Sequence, residues 1–182
     1  MRQGLLLIDI QNDYFIGGAM QLVGMEAAAT QAAYLLQTFR RRHAPVFYLQ
    51  HINTRPAATF FVRGTPGADI NPVVTPRAGE TVVEKHFPNG FRDTDLETRL
   101  RDAGIGELVI CGAMSHMCVD ATTRAASDLD FACQVVEDAC ATRDLQRSGR
   151  TVRAADVHAA FMAALAAAYA KVLPAKDFQF AT

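Results

Sequence analysis

Three side chains of complementary chemistry stand at or just beyond the ends of aliphatic runs: Asp9 in "LLLID", Lys85 in "TVVEK", and Cys118 in the turn after "ELVIC". A free thiol titrates near about 8.5 and is mostly protonated at neutral pH, so a cysteine nucleophile needs a base, a cation or a helix N-terminus to become thiolate. This sequence supplies a candidate for each. Asp9 could take the thiol proton, and Lys85 could hold the anionic partners together. A helix beginning near Cys118 would add unpaired backbone N–H groups and a favourable dipole. The same N–H groups could receive a developing oxyanion.

Singly, each residue has a plainer reading: a strand-end aspartate closes a loop, a lysine reaches for water, and a cysteine fills the core. Their combination is what points to covalent catalysis. Cys111, inside a strand, and Cys133, at the start of another, lack comparable neighbours and read as core thiols. His116 is a rival base, but residues at i and i+2 of a helix do not face one another. Ser115 is weaker, because "GAMSHM" is not the GxSxG elbow of a serine hydrolase.

The elements that must position these residues are legible as an alternation. Strands are predicted at 5–9, 46–50, 81–85, 107–111 and 133–138, each short, aliphatic and partly β-branched. Helical patterns occupy 26–44, 94–104, 117–130 and 153–171. Leu96 and Leu100 give the second helix an apolar stripe, and Gly104 supplies its stop. Strands alternating with helices imply right-handed crossovers and a parallel sheet covered on both faces. The expected fold is a three-layer α/β/α sandwich with a mainly parallel, Rossmann-like sheet of about six strands. In such sheets ligands bind beyond the carboxyl ends of the strands, where the three residues above are expected.

Residues 52–80 break the rhythm with a stretch rich in Pro, Gly and Thr, too long for a plain connection and expected to form a functional loop. Phe60 and Phe61 within it need apolar surroundings, which suggests a pocket wall. Tyr14 and Phe91 are further candidates for that wall. Gln11 and Asn89 are candidates for orienting a polar group of the substrate, with packing or loop capping as the plainer alternative.

Composition narrows the partners. At 182 residues the chain fits one domain, 1–182. Eighteen basic and nineteen acidic residues give a net charge of -1, and the basic residues are scattered, so nucleic acid is not expected as a partner. No apolar stretch reaches the roughly 18 residues that span a bilayer, and the N-terminus lacks signal-peptide character, so no membrane association and a cytoplasmic location are expected. Cys111, Cys118, Cys133 and Cys140 form no CxxC pair, which argues against zinc and against a disulfide scaffold. Neither GxGxxG nor GxxxxGK[ST] follows a predicted strand, which disfavours a phosphate-binding module.

Three segments together resemble the isochorismatase-like cysteine hydrolases, the group that includes nicotinamidase and carbamoylsarcosine amidohydrolase. They are "LLLIDIQNDYF", "VVEKHFPNGFRDTDLETRL" and "LVICGAMSHMCVDATTRAASDLDF", in the family's order and spread over nearly the whole chain. The resemblance implies a catalytic triad of Asp9, Lys85 and Cys118 and hydrolysis of a small-molecule amide through a covalent intermediate on Cys118. It also implies a cis peptide between Ala113 and Met114, with the backbone N–H groups of Met114 and Cys118 at the oxyanion, and a homo-oligomer, dimer or tetramer.

One departure stands out. Nicotinamidases hold a metal with an aspartate and two histidines after the second strand, where this chain reads "YLQHINTRPAATFF" and offers only His51. A mononuclear site needs three or four protein ligands, so no catalytic metal and no cofactor are expected, and nicotinamide is disfavoured as substrate. His51 itself reads as a hydrogen-bonded strand-end histidine. Isochorismatase departs from thiol chemistry whereas this chain keeps the cysteine, which disfavours vinyl-ether hydrolysis. A metal-dependent nicotinamidase and a thiol redox sensor on the same fold are the alternatives to the amidase.

Overall fold

The computed structural model describes residues 1–180. Six strands, β1 (Arg2–Ile8), β2 (Val46–His51), β3 (Thr81–Lys85), β4 (Ile105–Ala113), β5 (Ala132–Ala141) and a short terminal strand at Lys171–Leu173, form one sheet in the order β3-β2-β1-β4-β5 followed by that last strand. Every neighbouring pair is parallel. A two-stranded antiparallel ribbon, β6 (Leu145–Arg147) and β7 (Arg150–Val152), stands apart from it, which makes the terminal strand β8.

Alternate residues of β1 supply opposite faces. Leu5 and Leu7 pack with the buried face of α1 (Met25–Arg41), whose Ala28, Ala32, Leu35, Leu36 and Phe39 recur at helical spacing. Leu6 and Ile8 pack with Leu96 and Leu100 of α2 (Leu96–Asp102), Ala126 of α3 (Asp120–Asp128), and Met162 and Leu165 of α4 (Ala154–Ala168). Burying each leucine-sized side chain contributes about 1.5–3 kcal/mol, so the two apolar layers hold the sheet between them. This is the three-layer sandwich that the alternation predicts. Among the described residues no helix is long and apolar enough to cross a membrane.

Several boundaries differ from the sequence reading. β1 ends at Ile8 and leaves Asp9 just outside it, at a left-handed φ of 51°. β4 runs two residues past Cys111, because Gly112 and Ala113 still pair with Cys140 and Ala141 of β5. Gly112 is required there: its φ is 125°, and a Cβ would lie 2.0 Å from the Ile8 carbonyl oxygen of the adjacent strand. The helix expected to start near Cys118 begins at Asp120, preceded by a π-helical turn at Ser115–Val119. The last helix stops at Ala168, and Lys171, expected inside it, opens β8.

Candidate active site

Parallel strands deliver their carboxyl ends to one edge, and that edge assembles the site. His51 and Lys85 are paired in register at the ends of β2 and β3. Asp9 follows β1, its N–H donating to the Leu49 carbonyl at 3.0 Å. Beyond β4 the Ala113–Met114 peptide is cis, and the chain then enters the π turn, where the Val119 N–H donates to the Met114 carbonyl at 3.2 Å. Such turns carry one extra residue per loop of backbone and recur at functional positions. Here the turn brings Cys118 back over the strand ends.

The Lys85 ammonium is the hub. Its Nζ lies 2.7 Å from Asp9 Oδ2, 2.9 Å from His51 Nδ1, 3.1 Å from the Phe87 carbonyl oxygen and 3.3 Å from Cys118 Sγ. Both Lys85 and Asp9 are fully buried, and Cys118 nearly so. Burial opposes the lysine's charge, but Asp9 and then Cys118 outweigh it and hold its pKa above the usual lysine value. Because an ammonium only donates, His51 must offer it the Nδ1 lone pair. Burial, with Lys85 next to it, pushes His51 down to about 4 despite the opposing pull of Asp9, so the ring is neutral at physiological pH.

The sulfur is held in its protonated form. Burial and then the Asp9 charge raise the Cys118 pKa, and Lys85 only partly offsets them. The resting group is therefore a thiol beside a preformed Lys85–Asp9 ion pair. Asp9 retains a matching acceptor: its Oδ1 is buried with no hydrogen-bond partner.

Cys118 opens onto a cavity of about 540 Å³, mouth included. Tyr14, Phe60, Pro88, Met114 and Met117 make its apolar wall, and His51, Asn53, Arg55 and His86 its polar side. Of the candidate pocket residues, Tyr14 and Phe60 thus line the cavity and four do not. Phe61 is fully buried behind the wall, with its ring centroid 4.6 Å from that of Tyr14 and 5.1 Å from that of Phe60. Gln11 is consumed by the backbone: its Nε2 donates to the His51 and Ala68 carbonyls at 2.9 and 2.7 Å, and its Oε1 accepts the His51 N–H at 2.7 Å. Asn89 caps its own loop by accepting the Phe91 N–H at 2.9 Å, and Phe91 stacks on Phe131, 6.1 Å between centroids. Gln11 and Asn89 therefore follow their plainer, structural alternative.

The rival base points elsewhere: His116 Nδ1 is 2.6 Å from Thr142 Oγ1, and its ring meets Phe161 edge-on. Ser115 Oγ donates to the Ala141 carbonyl at 3.2 Å and lies 2.8 Å from His158 Nδ1. Five cavity residues escaped the sequence reading: Asn53, Arg55, His86, Pro88 and Met117. The first two share the loop with Phe60, and only its closure reveals them. The Asn53 N–H donates to the Phe61 carbonyl at 2.9 Å, and the Phe61 N–H donates to Asp13 Oδ2 at 2.6 Å, so the segment between them is cinched at its base.

Among the described residues, one group of His, Cys, Asp or Glu side chains comes close enough to share an ion: Asp9, His51 and Cys118, whose ligand atoms lie within 4.8 Å of one another. These three do not fit a metal site. Lys85 Nζ already makes a short contact with each of them, so a divalent ion would have to displace a buried ammonium.

Comparison with known proteins gives a consistent result. The Isochorismatase domain model matches residues 3–177. The isochorismatase family protein YddQ of Bacillus subtilis is 52% identical over 178 residues, covering 98% of this chain and 99% of its own. The crystal structure of an isochorismatase from Pseudomonas putida KT2440 superposes with a TM-score of 0.91 at 35% identity, covering 98% and 90% of the two chains. N-carbamoylsarcosine amidase from Thermoplasma acidophilum superposes with a TM-score of 0.83 at 26% identity, covering 99% and 100%. Maleamate amidohydrolase of Pseudomonas putida is a more distant relative, 28% identical over 156 residues, 78% of this chain and 73% of its own.

Proposed function

Because the chain belongs to the isochorismatase family, we propose that it hydrolyses a non-peptide C–N bond of a small amide through a thioester on Cys118. The observation that carries this reading is the buried Lys85 ammonium 2.7 Å from Asp9 Oδ2 and 3.3 Å from Cys118 Sγ at the floor of the cavity. The amidase activities named for the carbamoylsarcosine and maleamate relatives support the amide as the bond class.

In the first half-reaction Asp9 takes the thiol proton as Sγ bonds to the amide carbon. The carbonyl oxygen gains the negative charge and is received by the Met114 and Cys118 N–H groups. Collapse breaks the C–N bond, and the proton held by Asp9 goes to the leaving amine. In the second half-reaction Asp9 takes a proton from water, whose oxygen attacks the thioester, and Sγ leaves with that proton as the acid departs. Lys85 keeps its proton throughout and offsets the charge on Asp9 and sulfur, so no net charge builds up in the buried site. A neutral resting thiol suits this sequence, since the proton it gives up is the one the amine needs.

The test is intact-protein mass spectrometry during turnover of a primary-amide library. Expected are an acyl adduct that maps to Cys118, its absence in Cys118→Ala, and a large loss of turnover in Asp9→Asn. Hydrolysis that survives Cys118→Ala would overturn the proposal. Reversible peroxide oxidation of Cys118 with no acyl adduct would favour the thiol-sensor alternative instead.

A further inference from the structure

The charges around the cavity do not cancel, and the imbalance rests on one side chain. Asp9 and Lys85 neutralise each other at 2.7 Å, Cys118 is a thiol, and His51 is held neutral by its surroundings. Glu84, beside the cavity's His86, is gripped by both terminal nitrogens of Arg63. Arg55 lines the same cavity, and among the described residues its guanidinium has no carboxylate, carbonyl or aromatic partner. Its charge already reaches the site, because it is one of the groups that depress His51.

The backbone that carries Arg55 is fixed although its side chain is exposed. The Arg55 N–H donates to Asn53 Oδ1 at 3.2 Å, and its carbonyl accepts the Ala58 N–H at 3.2 Å. That turn lies within the segment cinched by the Asn53 to Phe61 hydrogen bond. A guanidinium offers a planar fork that matches a carboxylate, and Arg55 shares the lining of one cavity with Cys118.

We propose that Arg55 sets specificity by receiving a carboxylate on the substrate, so that the substrate class is small amides carrying an acid group at the end away from the scissile bond. This rests on the amide-hydrolysis reading above. A substrate of this kind brings the counter-charge that the protein itself withholds from Arg55. A cationic amide would meet like charge at the mouth, which is discrimination by repulsion as well as attraction.

The experiment compares malonamate, succinamate and glutaramate with their neutral diamides, using wild type, Arg55→Ala, Arg55→Lys and Arg55→Glu. Expected in wild type is a kcat/KM for at least one acid about tenfold or more above that of its diamide, the scale of one charge-assisted contact. Arg55→Ala should erase that ratio by raising KM far more for the acid than for the diamide, Arg55→Lys should restore part of it, and Arg55→Glu should disfavour the acid. Titration calorimetry of malonate, succinate and glutarate supplies a second arm, with Cys118→Ala expected to bind one of them and Cys118→Ala/Arg55→Ala to bind none. Dicarboxylate binding that depends on Arg55, with no amide cleaved, would uphold the role of Arg55 and count against hydrolysis. Amides cleaved with no preference for the acid, or with a preference that survives Arg55→Ala, would overturn the role of Arg55 and leave hydrolysis standing. Neither binding nor cleavage would overturn both.

Discussion

Lys85 and Asp9 meet at 2.7 Å with both side chains at 0% exposure, an ion pair wholly withdrawn from water. Removing one member of such a pair strands the other, at a cost of about 3–5 kcal/mol. Lys85→Met should therefore lose stability on that scale in urea denaturation as well as activity. The double variant Lys85→Met/Asp9→Asn should recover much of the stability and none of the activity. A loss in the double variant equal to the sum of the losses in Lys85→Met and Asp9→Asn would show that the pair is not energetically coupled.

Cys118 should be a slow thiol toward small electrophiles. Its pKa is raised, chiefly by burial and then by Asp9, so at pH 8 it should react with iodoacetamide more slowly than free cysteine. Asp9→Asn removes a negative neighbour and should speed that alkylation while slowing amide turnover. Alkylation faster than that of free cysteine would mean that the resting sulfur is already a thiolate.

His51 makes stability depend on acid. Its folded pKa is about 4, against about 6.5 in an unfolded chain. As pH falls the unfolded chain takes the proton first, so a contribution fully present above pH 6.5 is lost between about 6.5 and 4. The loss is at most about 3 kcal/mol, reduced by the partial exposure of the ring. Urea midpoints of wild type and His51→Asn should therefore converge as pH drops from 7 to 4.5. Parallel curves would contradict a neutral His51.

Gly112→Ala should be among the most damaging single substitutions in the chain. The new Cβ would sit 2.0 Å from the Ile8 carbonyl oxygen, and a left-handed φ of 125° is hostile to any side chain. Soluble yield or thermal midpoint should fall sharply, whereas Gly79→Ala, which meets nothing within 4 Å, should lose less, because it carries the strain of a positive φ without the clash. Similar behaviour of the two variants would show that the close approach of β4 to β1 is dispensable.

Chelation should leave turnover unchanged, because Lys85 provides the positive charge that a metal would otherwise bring to Asp9, His51 and Cys118. Metal analysis of the active protein, before and after dialysis against EDTA, checks this. Stoichiometric zinc or iron whose removal abolishes activity would contradict it.

The strands and the strand-end residues were readable in the sequence because aliphatic runs broken by turn residues leave few alternatives to buried parallel strands. Asp9, Lys85 and Cys118 could be singled out for the same reason. The pocket could not be read in this way. Phe60 and Phe61 are adjacent and chemically identical, yet only Phe60 faces the cavity. Gln11 looked like a substrate ligand because nothing local reveals that its amide is used up by His51 and Ala68, far along the chain. The rise of the Cys118 pKa is not legible in the sequence, because proximity to a cation is visible in motif order whereas the depth of burial is not.

The hydrogen bond from Asn53 to Phe61 closes residues 54–60 into a loop whose two ends are tied to the scaffold, with Ile52 held by the Lys85 carbonyl and Phe61 by Asp13. Insertions, deletions or exchanges inside that loop alter what meets the mouth of the cavity without disturbing the strand ends at which the thiol, the carboxylate and the amine meet. If the proposed chemistry holds, selection, natural or in the laboratory, could rewrite this short cassette and redirect the enzyme to new molecules while its chemical engine is inherited unchanged.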